Sequence, residues 1–216
     1  ERTTVPAGDL GEVVLAVVDE ESEITYLDVA ATDPDGDTDF APPTAVRGTL
    51  LEDRVLVWDA PPELHEQGFY GQPLGGRAAE YDALQLSLLE AAYLAAQGVL
   101  DLGDADVEAV VEHGRDGEGE HFDRRLRVYR ALRDSGMVPK TGFKFGADFR
   151  TYADVEHVED LGHSELLVRV LPVDHVFQPR DLALDVRLAH GVRKTMAFAL
   201  ADGETVEWLS VARLTP

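Results

Sequence analysis

Thr195-Met-Ala-Phe-Ala-Leu-Ala-Asp-Gly-Glu-Thr-Val-Glu-Trp-Leu-Ser-Val-Ala-Arg-Leu-Thr-Pro216 reads as a strand, Thr195 to Leu200, then a turn at Asp202-Gly203, then a strand, Val206 to Ala212. Val13 to Pro34 (VVLAVVDEESEITYLDVAATDP) has the same plan and lies over it without a gap, at a constant offset of 182. Leu27-x-Val29-Ala30 matches Leu209-x-Val211-Ala212, Tyr26 matches Trp208, and Pro34 matches Pro216. The match predicts an internal repeat, with residues 1–34 the tail of an upstream copy. Two such hairpins are expected to pair across a pseudo-twofold, either within the chain or after domain exchange. The upstream tail has lost two cations, since Lys194 falls on Glu12 and Arg213 on Ala31.

Working outward, Asp33-Pro34-Asp35-Gly36-Asp37 and Pro42-Pro43 read as a solvated linker over 35–47. A new unit begins at Gly48, with a strand over Leu51 to Trp58 and a helix over 82–97 whose C-terminal stop is Gly98. Asp104 is the expected N-cap of a shorter helix, and the charged, glycine-bearing run Gly114 to Gly119 the expected boundary between subdomains 48–118 and 119–216. Beyond it come a helix over Phe122 to Asp134 and alternation through Phe143, Phe145, Ala147 and Phe149. A strand over Leu166 to Leu171 and a helix over 179–190, stopped by Gly191, precede the hairpin. Strands and helices are thus interleaved, and the expected class is α/β (α+β).

The 216 residues carry 42 acids against 19 bases, for a net charge of −23, and contain no cysteine. Disulfide scaffolds, thiolate metal sites and a cysteine nucleophile are thereby excluded. No apolar run approaches the ~18 residues of a membrane span, and no basic-then-apolar leader is seen, so a cytoplasmic protein off the membrane is expected. Only Lys140, Lys144 and Lys194 are lysines, and the other 16 bases are arginines. Acid excess with scarce lysine is the pattern of proteins that work in molar salt. The excess is also lopsided: residues 1–120 hold 28 acids and 5 bases, whereas 121–216 hold 14 of each. Cations retained in one half of an acid-selected chain point to an anionic partner such as nucleic acid or phosphate.

The block Lys140-Thr-Gly-Phe-Lys-Phe-Gly-Ala-Asp-Phe-Arg-Thr-Tyr152, the run Gly162-His163-Ser164-Glu165 and the segment Arg187-Leu-Ala-His-Gly-Val-Arg-Lys194 resemble the catalytic domain of archaeal tRNA-splicing endonucleases. Gly68-Phe69-Tyr70-Gly71, the stretch Leu88 to Leu94 and Val128 to Arg133 resemble the amino-terminal domain of the same family. The resemblance covers residues 48 to 216. It implies a small N-terminal α/β subdomain followed by a restriction-endonuclease-like catalytic subdomain with a mixed central sheet. The family includes tandem-unit chains whose first unit is degenerate, in keeping with the repeat.

The resemblance further implies cleavage of precursor tRNA at a bulge-helix-bulge, without cofactor or metal, the ribose 2′-hydroxyl attacking its own phosphate. Such a reaction needs a base, an acid for the departing 5′-oxygen and a cation for the charge building on phosphorus. The family's tyrosine, histidine and lysine fall on Tyr152, His163 and Lys194. Histidine titrates near neutrality and suits the acid. A phenol is a poor base unless a cation lowers its pKa, so the identity of the base stays open. The compact ammonium of Lys194 suits a non-bridging phosphate oxygen. Two arginines that grip a flipped base fall on Arg187 and, by its place before the final proline, Arg213. The turn Asp202-Gly203-Glu204 resembles the acidic loop with which one unit docks on another, and a homodimer of tandem-repeat chains is the implied assembly. His65, His113, His121, His157 and His175 read as surface or structural, and His190 as packing at a helix end.

Two other readings compete. One is a non-catalytic structural or RNA-binding unit of the same assembly, disfavoured because all three candidate residues are present. The other is a metal-dependent DNA nuclease, which needs clustered carboxylates followed closely by a lysine. Lys144 and Asp148 stand in the wrong order for that, so no DNA partner is expected.

Overall fold

A computed structural model describes residues 13–18, 21–43, 46–74 and 83–214. In chain order the elements begin with strands β1 (Val13–Val18), β2 (Ile24–Ala31), β3 (Val46–Leu50) and β4 (Arg54–Trp58). Helix α1 (Pro62–Glu66), β5 (Gln72–Pro73), β6 (Ala83–Ser87), α2 (Leu88–Ala96), β7 (Leu100–Asp101), α3 (Val107–Glu118) and α4 (Glu120–Asp134) follow. The rest comprises β8 (Val138–Thr141), β9 (Phe149–Tyr152), β10 (Leu166–Leu171), α5 (Pro179–Gly191), β11 (Thr195–Asp202) and β12 (Thr205–Leu214). The class is mixed α/β, as expected from the sequence, with two sheets in the orders β1-β2-β12-β11-β10-β9-β8 and β5-β6-β4-β3-β7. Asp19 and Glu20 in the turn of the upstream hairpin lie outside the described residues, as do Glu12, Asp82 and Pro216.

Two compact units divide the chain, one made of residues 36–138 and 153–162, the other of 1–35, 139–152 and 163–216. In the first, the expected strand Leu51 to Trp58 begins only at Arg54, because residues 51–53 are the turn of a β3–β4 hairpin closed by Leu51 N–H donating to the Arg54 carbonyl at 2.9 Å. The expected helix over 82–97 splits: Ala83–Ser87 pairs antiparallel with β4, and the helix starts only at Leu88. Ser87 and Glu90 form a reciprocal capping box there, which fixes the start. Gly98 does end α2, at φ +71. The cap of α3 is Asp106 rather than Asp104, and Gly114 to Glu118 is helical rather than loop. Gly114 is buried where a Cβ would meet the Phe122 ring at 2.3 Å, so its lack of a side chain lets α3 and α4 approach. Helix α4 therefore belongs by its contacts with this unit, whereas the sequence division falls at 118/119. Arg133 lies 3.9 Å from the Tyr70 ring centroid and donates to the Gly68 carbonyl at 2.9 Å, fixing the Gly68–Gly71 turn.

The second unit is built on the seven-stranded sheet. β10 and β11 run parallel and are linked through α5, while the other pairings with printed register are antiparallel. Leu182, Val186 and Ala189 of α5 pack into a core with Leu27, Val29, Leu167, Met196, Phe198 and Val211. On α5 the buried Asp185 accepts from Arg169 Nη1 at 2.5 Å. Gly191 is the last residue of the helix, but the left-handed closing residue lies two positions further on. Arg193 takes φ +58, its N–H donates to the His190 carbonyl, and the Lys194 N–H donates to the Ala189 carbonyl at 2.9 Å. Those two bonds form a Schellman closure with arginine in the position that favours glycine.

The two hairpins do pair, through β2 and β12, and the repeat-equivalent residues Val29 and Val211 stand directly opposite each other. A twofold normal to the sheet at that point relates β2 to β12. The outer strands obey it with a slip of one. Val13 pairs with Val29, but Met196 rather than Thr195 pairs with Val211. The repeat is therefore ungapped over β2 and β12 only; a one-residue difference in the turns carries Val13 onto Met196. The slip is imposed by burial, since a shift of one would turn the opposite set of side chains toward α5.

Candidate active site

The ends of three strands align at one margin of the seven-stranded sheet. Thr151 on β9 is opposite Leu166 on β10, which is opposite Thr195 on β11. One residue further out the ladder persists: Glu165 N–H donates to the Thr151 carbonyl at 3.0 Å, and Thr195 N–H to the Glu165 carbonyl at 3.1 Å. Tyr152, Glu165 and Lys194 thus occupy one lateral row. At ~4.8 Å between strands, the backbones of Tyr152 and Lys194 are about 10 Å apart. The β11–β12 register, continued by two residues, adds Arg213 to the same row beside Lys194, and Arg213 is in turn opposite Leu27. By alternation the row shares its face with Arg150, Leu167 and Met196, the face that carries α5.

Side chains make the row into a site. Tyr152 is buried, and the Arg150 guanidinium carbon lies 5.6 Å from its ring centroid. Lys194 is half-buried; its Nζ donates to the Ser164 carbonyl at 2.5 Å and lies 6.0 Å from the Phe145 ring centroid. Burial first, and the positive charge of Arg150 second, hold the Lys194 ammonium below the ordinary lysine range. His163 immediately precedes the buried Ser164 and is exposed to solvent. The carbonyl that anchors Lys194 therefore also fixes the segment bearing His163. Together these groups offer a phenol, an imidazole and an ammonium around one strand margin.

Arg187 is exposed on the last turns of α5, and Arg213 is exposed near the end of β12. Asp202, Gly203 and Glu204 are exposed at the β11–β12 turn, with Gly203 at φ +54 and its N–H donating to Asp202 Oδ1. The eight residues of β11 separate that turn from the Lys194 row by about 25 Å. His190 is exposed, not packed. The buried His65 faces the Tyr70 carbonyl through Nδ1 at 2.9 Å, a structural role. Sequence reasoning passed over Arg150 and the Ser164 carbonyl. The first was readable, since Arg150 and Tyr152 alternate onto one face of a strand; the second needs the fold. Among the described residues there is no group of three or more His, Asp and Glu that could hold a metal ion, and no helix long and apolar enough to cross a membrane.

One α/β unit and a second unit built on a mixed sheet with such a margin make a two-domain organisation that family comparison recognises. Residues 46–112 match the tRNA intron endonuclease N-terminal domain, and residues 122–208 match the tRNA intron endonuclease catalytic C-terminal domain. The chain belongs to the tRNA intron endonuclease family. It is 68% identical over 218 residues to a tRNA-splicing endonuclease of Halobacterium salinarum, covering all of this chain and 64% of that protein. With the one of Haloarcula marismortui it shares 63% identity, over all of this chain and 63% of the relative. With that of Methanosarcina mazei it shares 43% over 211 residues, 94% of this chain and 58% of the relative. The chain thus spans less than two thirds of the length of these relatives.

Proposed function

We propose that this chain carries an active centre that cuts precursor tRNA at the splice sites of a bulge-helix-bulge, with no metal in the chemistry. The 2′-oxygen attacks the adjacent phosphorus, the bond from phosphorus to the 5′-oxygen breaks, and the products are a 2′,3′-cyclic phosphate and a 5′-hydroxyl. His163 donates the proton that the departing 5′-oxygen needs, its exposure leaving it free to meet substrate. Lys194 balances charge on the non-bridging oxygens, and its ammonium is pre-aimed by the Ser164 carbonyl. Tyr152, beneath the Arg150 cation, takes or orients the 2′-hydroxyl proton. Arg187 and Arg213 clasp an unpaired base between guanidinium planes. The Asp202–Glu204 turn, remote from the reacting row, docks a second unit in a homodimer.

The observation that carries this reading is the single row in which Tyr152 and Lys194 flank Glu165, with His163 two residues away. The test is cleavage of a bulge-helix-bulge RNA in excess EDTA, with end-group analysis. Full activity with cyclic ends is expected, and His163→Ala should slow the single-turnover rate by roughly 10²–10⁴-fold, the usual worth of a positioned acid. Wild-type rate in that variant would remove His163 as the acid and overturn this mechanism, and complete loss in EDTA would make it a metal enzyme.

A further inference from the structure

The turn between β8 and β9 carries a side chain that folding does not explain. Phe143 is 86% exposed, against 60% for Val18, the next most exposed large apolar residue described. The turn is nonetheless rigid. Residues Phe143–Phe145 form a 3-10 turn in which Phe145 N–H donates to the Gly142 carbonyl at 2.7 Å and Gly146 N–H to the Phe143 carbonyl at 3.1 Å. Gly142 has no room for a Cβ, which would lie 2.8 Å from the Ala147 and Phe149 backbone, and Gly146 sits at φ +68. Asp148 staples the base of the turn to β10, its N–H donating to the Val168 carbonyl and its carboxylate accepting from Val170 N–H. The ring is thus held out in water by a fixed backbone, not left there by a slack loop.

Its neighbours say what it meets. Phe145 turns the other way, packs against the core and lies 6.0 Å from Lys194 Nζ, so the turn abuts the reacting row. Lys144, beside Phe143, is exposed, and Lys140 opens the same block; these are two of the three lysines in a chain of net charge −23. A protein interface centres on clustered apolar residues, whereas the chain neighbours of this ring are Thr141, Gly142 and the exposed Lys144. An aromatic face beside a cation suits an unpaired nucleotide, base on ring and phosphate on ammonium.

We propose that Phe143 is a stacking platform for an unpaired base next to the cleaved phosphate, and that Lys144 takes a backbone phosphate of the same strand. The proposal rests on the RNA-cleaving reading and adds a base contact outside the Arg187 and Arg213 pair. The probe is a bulge-helix-bulge RNA with 2′-deoxyribose at the scissile positions and 2-aminopurine in the bulges, bound to the full chain at fixed KCl. Phe143→Ala and Phe143→Leu should weaken binding ~10- to 100-fold and abolish the 2-aminopurine quenching, while Phe143→Trp keeps both. Lys144→Gln should lower the slope of log K against log[KCl] by about 1. Phe143→Ala binding within twofold of wild type, with quenching intact, overturns the platform. So does a change in sedimentation mass with RNA affinity unaltered, which would make Phe143 a protein contact. If either occurs while the wild type still cleaves to cyclic ends, only this proposal falls; a wild type that neither binds nor cleaves removes the parent reading with it.

Discussion

Replacing Leu27 by alanine tests whether the upstream hairpin is part of the unit that holds the reacting row. Leu27 is fully buried on β2, within the core shared by Leu167, Met196 and Phe198. It also stands opposite Arg213, so it ends the row that contains Lys194. The substitution removes about three carbons, roughly 2.4 kcal/mol of transfer free energy at ~0.8 per methylene. A cavity term raises the cost to about 3 kcal/mol, because a sheet hydrogen-bonded on both sides of β2 has little freedom to collapse. In a unit of near 100 residues, at ~4 °C per kcal/mol, the melting temperature should fall by about 12 °C. Val14→Ala is the control: on the outer face of β1 and 52% exposed, it should change stability by no more than ~0.5 kcal/mol. Melting is followed by the fluorescence of Trp208 in a Trp58→Phe background, at high KCl, so that the signal comes from β12. Equal melting of the two variants, or a loss under ~1 kcal/mol for Leu27→Ala, would refute the pairing of Val29 with Val211 and the core built on it.

Two further outcomes follow from the geometry around Lys194. Arg193→Gly should stabilise the unit by about 1 kcal/mol in denaturant titration, because the left-handed backbone at φ +58 is costly for arginine and free for glycine. Arg150→Met should move the alkaline limb of the cleavage rate to higher pH, because a like charge that favours neutral Lys194 has gone. The linkage sign agrees: with its folded pKa below the unfolded one, Lys194 binds fewer protons when folded. Its penalty is therefore full below the folded pKa and is relieved as pH rises toward the unfolded value, and Arg150→Met should flatten that rise in a pH series of melts.

What the sequence made legible depended on how many forces agreed at each place. β10 and β11 are buried on both faces, so their apolar runs announce them, and α5 has its Pro179 start and a 3.6-residue stripe. Leu84 and Leu88 are four apart and fit a helix equally well, and only pairing with β4 makes Ala83–Ser87 a strand. The Ser87-x-x-Glu90 pattern was the local sign that a helix starts there. Glycines at 114 and 117 read as a loop because their propensity is poor, yet the Phe122 ring against Gly114 outweighs that propensity. Alternation through Phe143, Phe145 and Phe149 looked like one strand; a 3-10 turn gives the first two rings opposite fates with the same spacing.

The candidate site shows the same limit more sharply. Residue identity marks Tyr152, His163 and Lys194 singly, but nothing in a linear pattern makes Glu165 the residue between two of them. Register does, and register is decided far away. Val29 against Val211 sets β12, burial of Met196 and Phe198 against α5 sets β11, and Leu167 opposite Met196 sets β10. A slip of one anywhere in that series would send Lys194 to the face away from Tyr152 and Arg150. The chemistry proposed for the margin therefore rests on apolar contacts in the middle of the sheet, and core substitutions such as Leu27→Ala should lower the cleavage rate as well as the melting temperature.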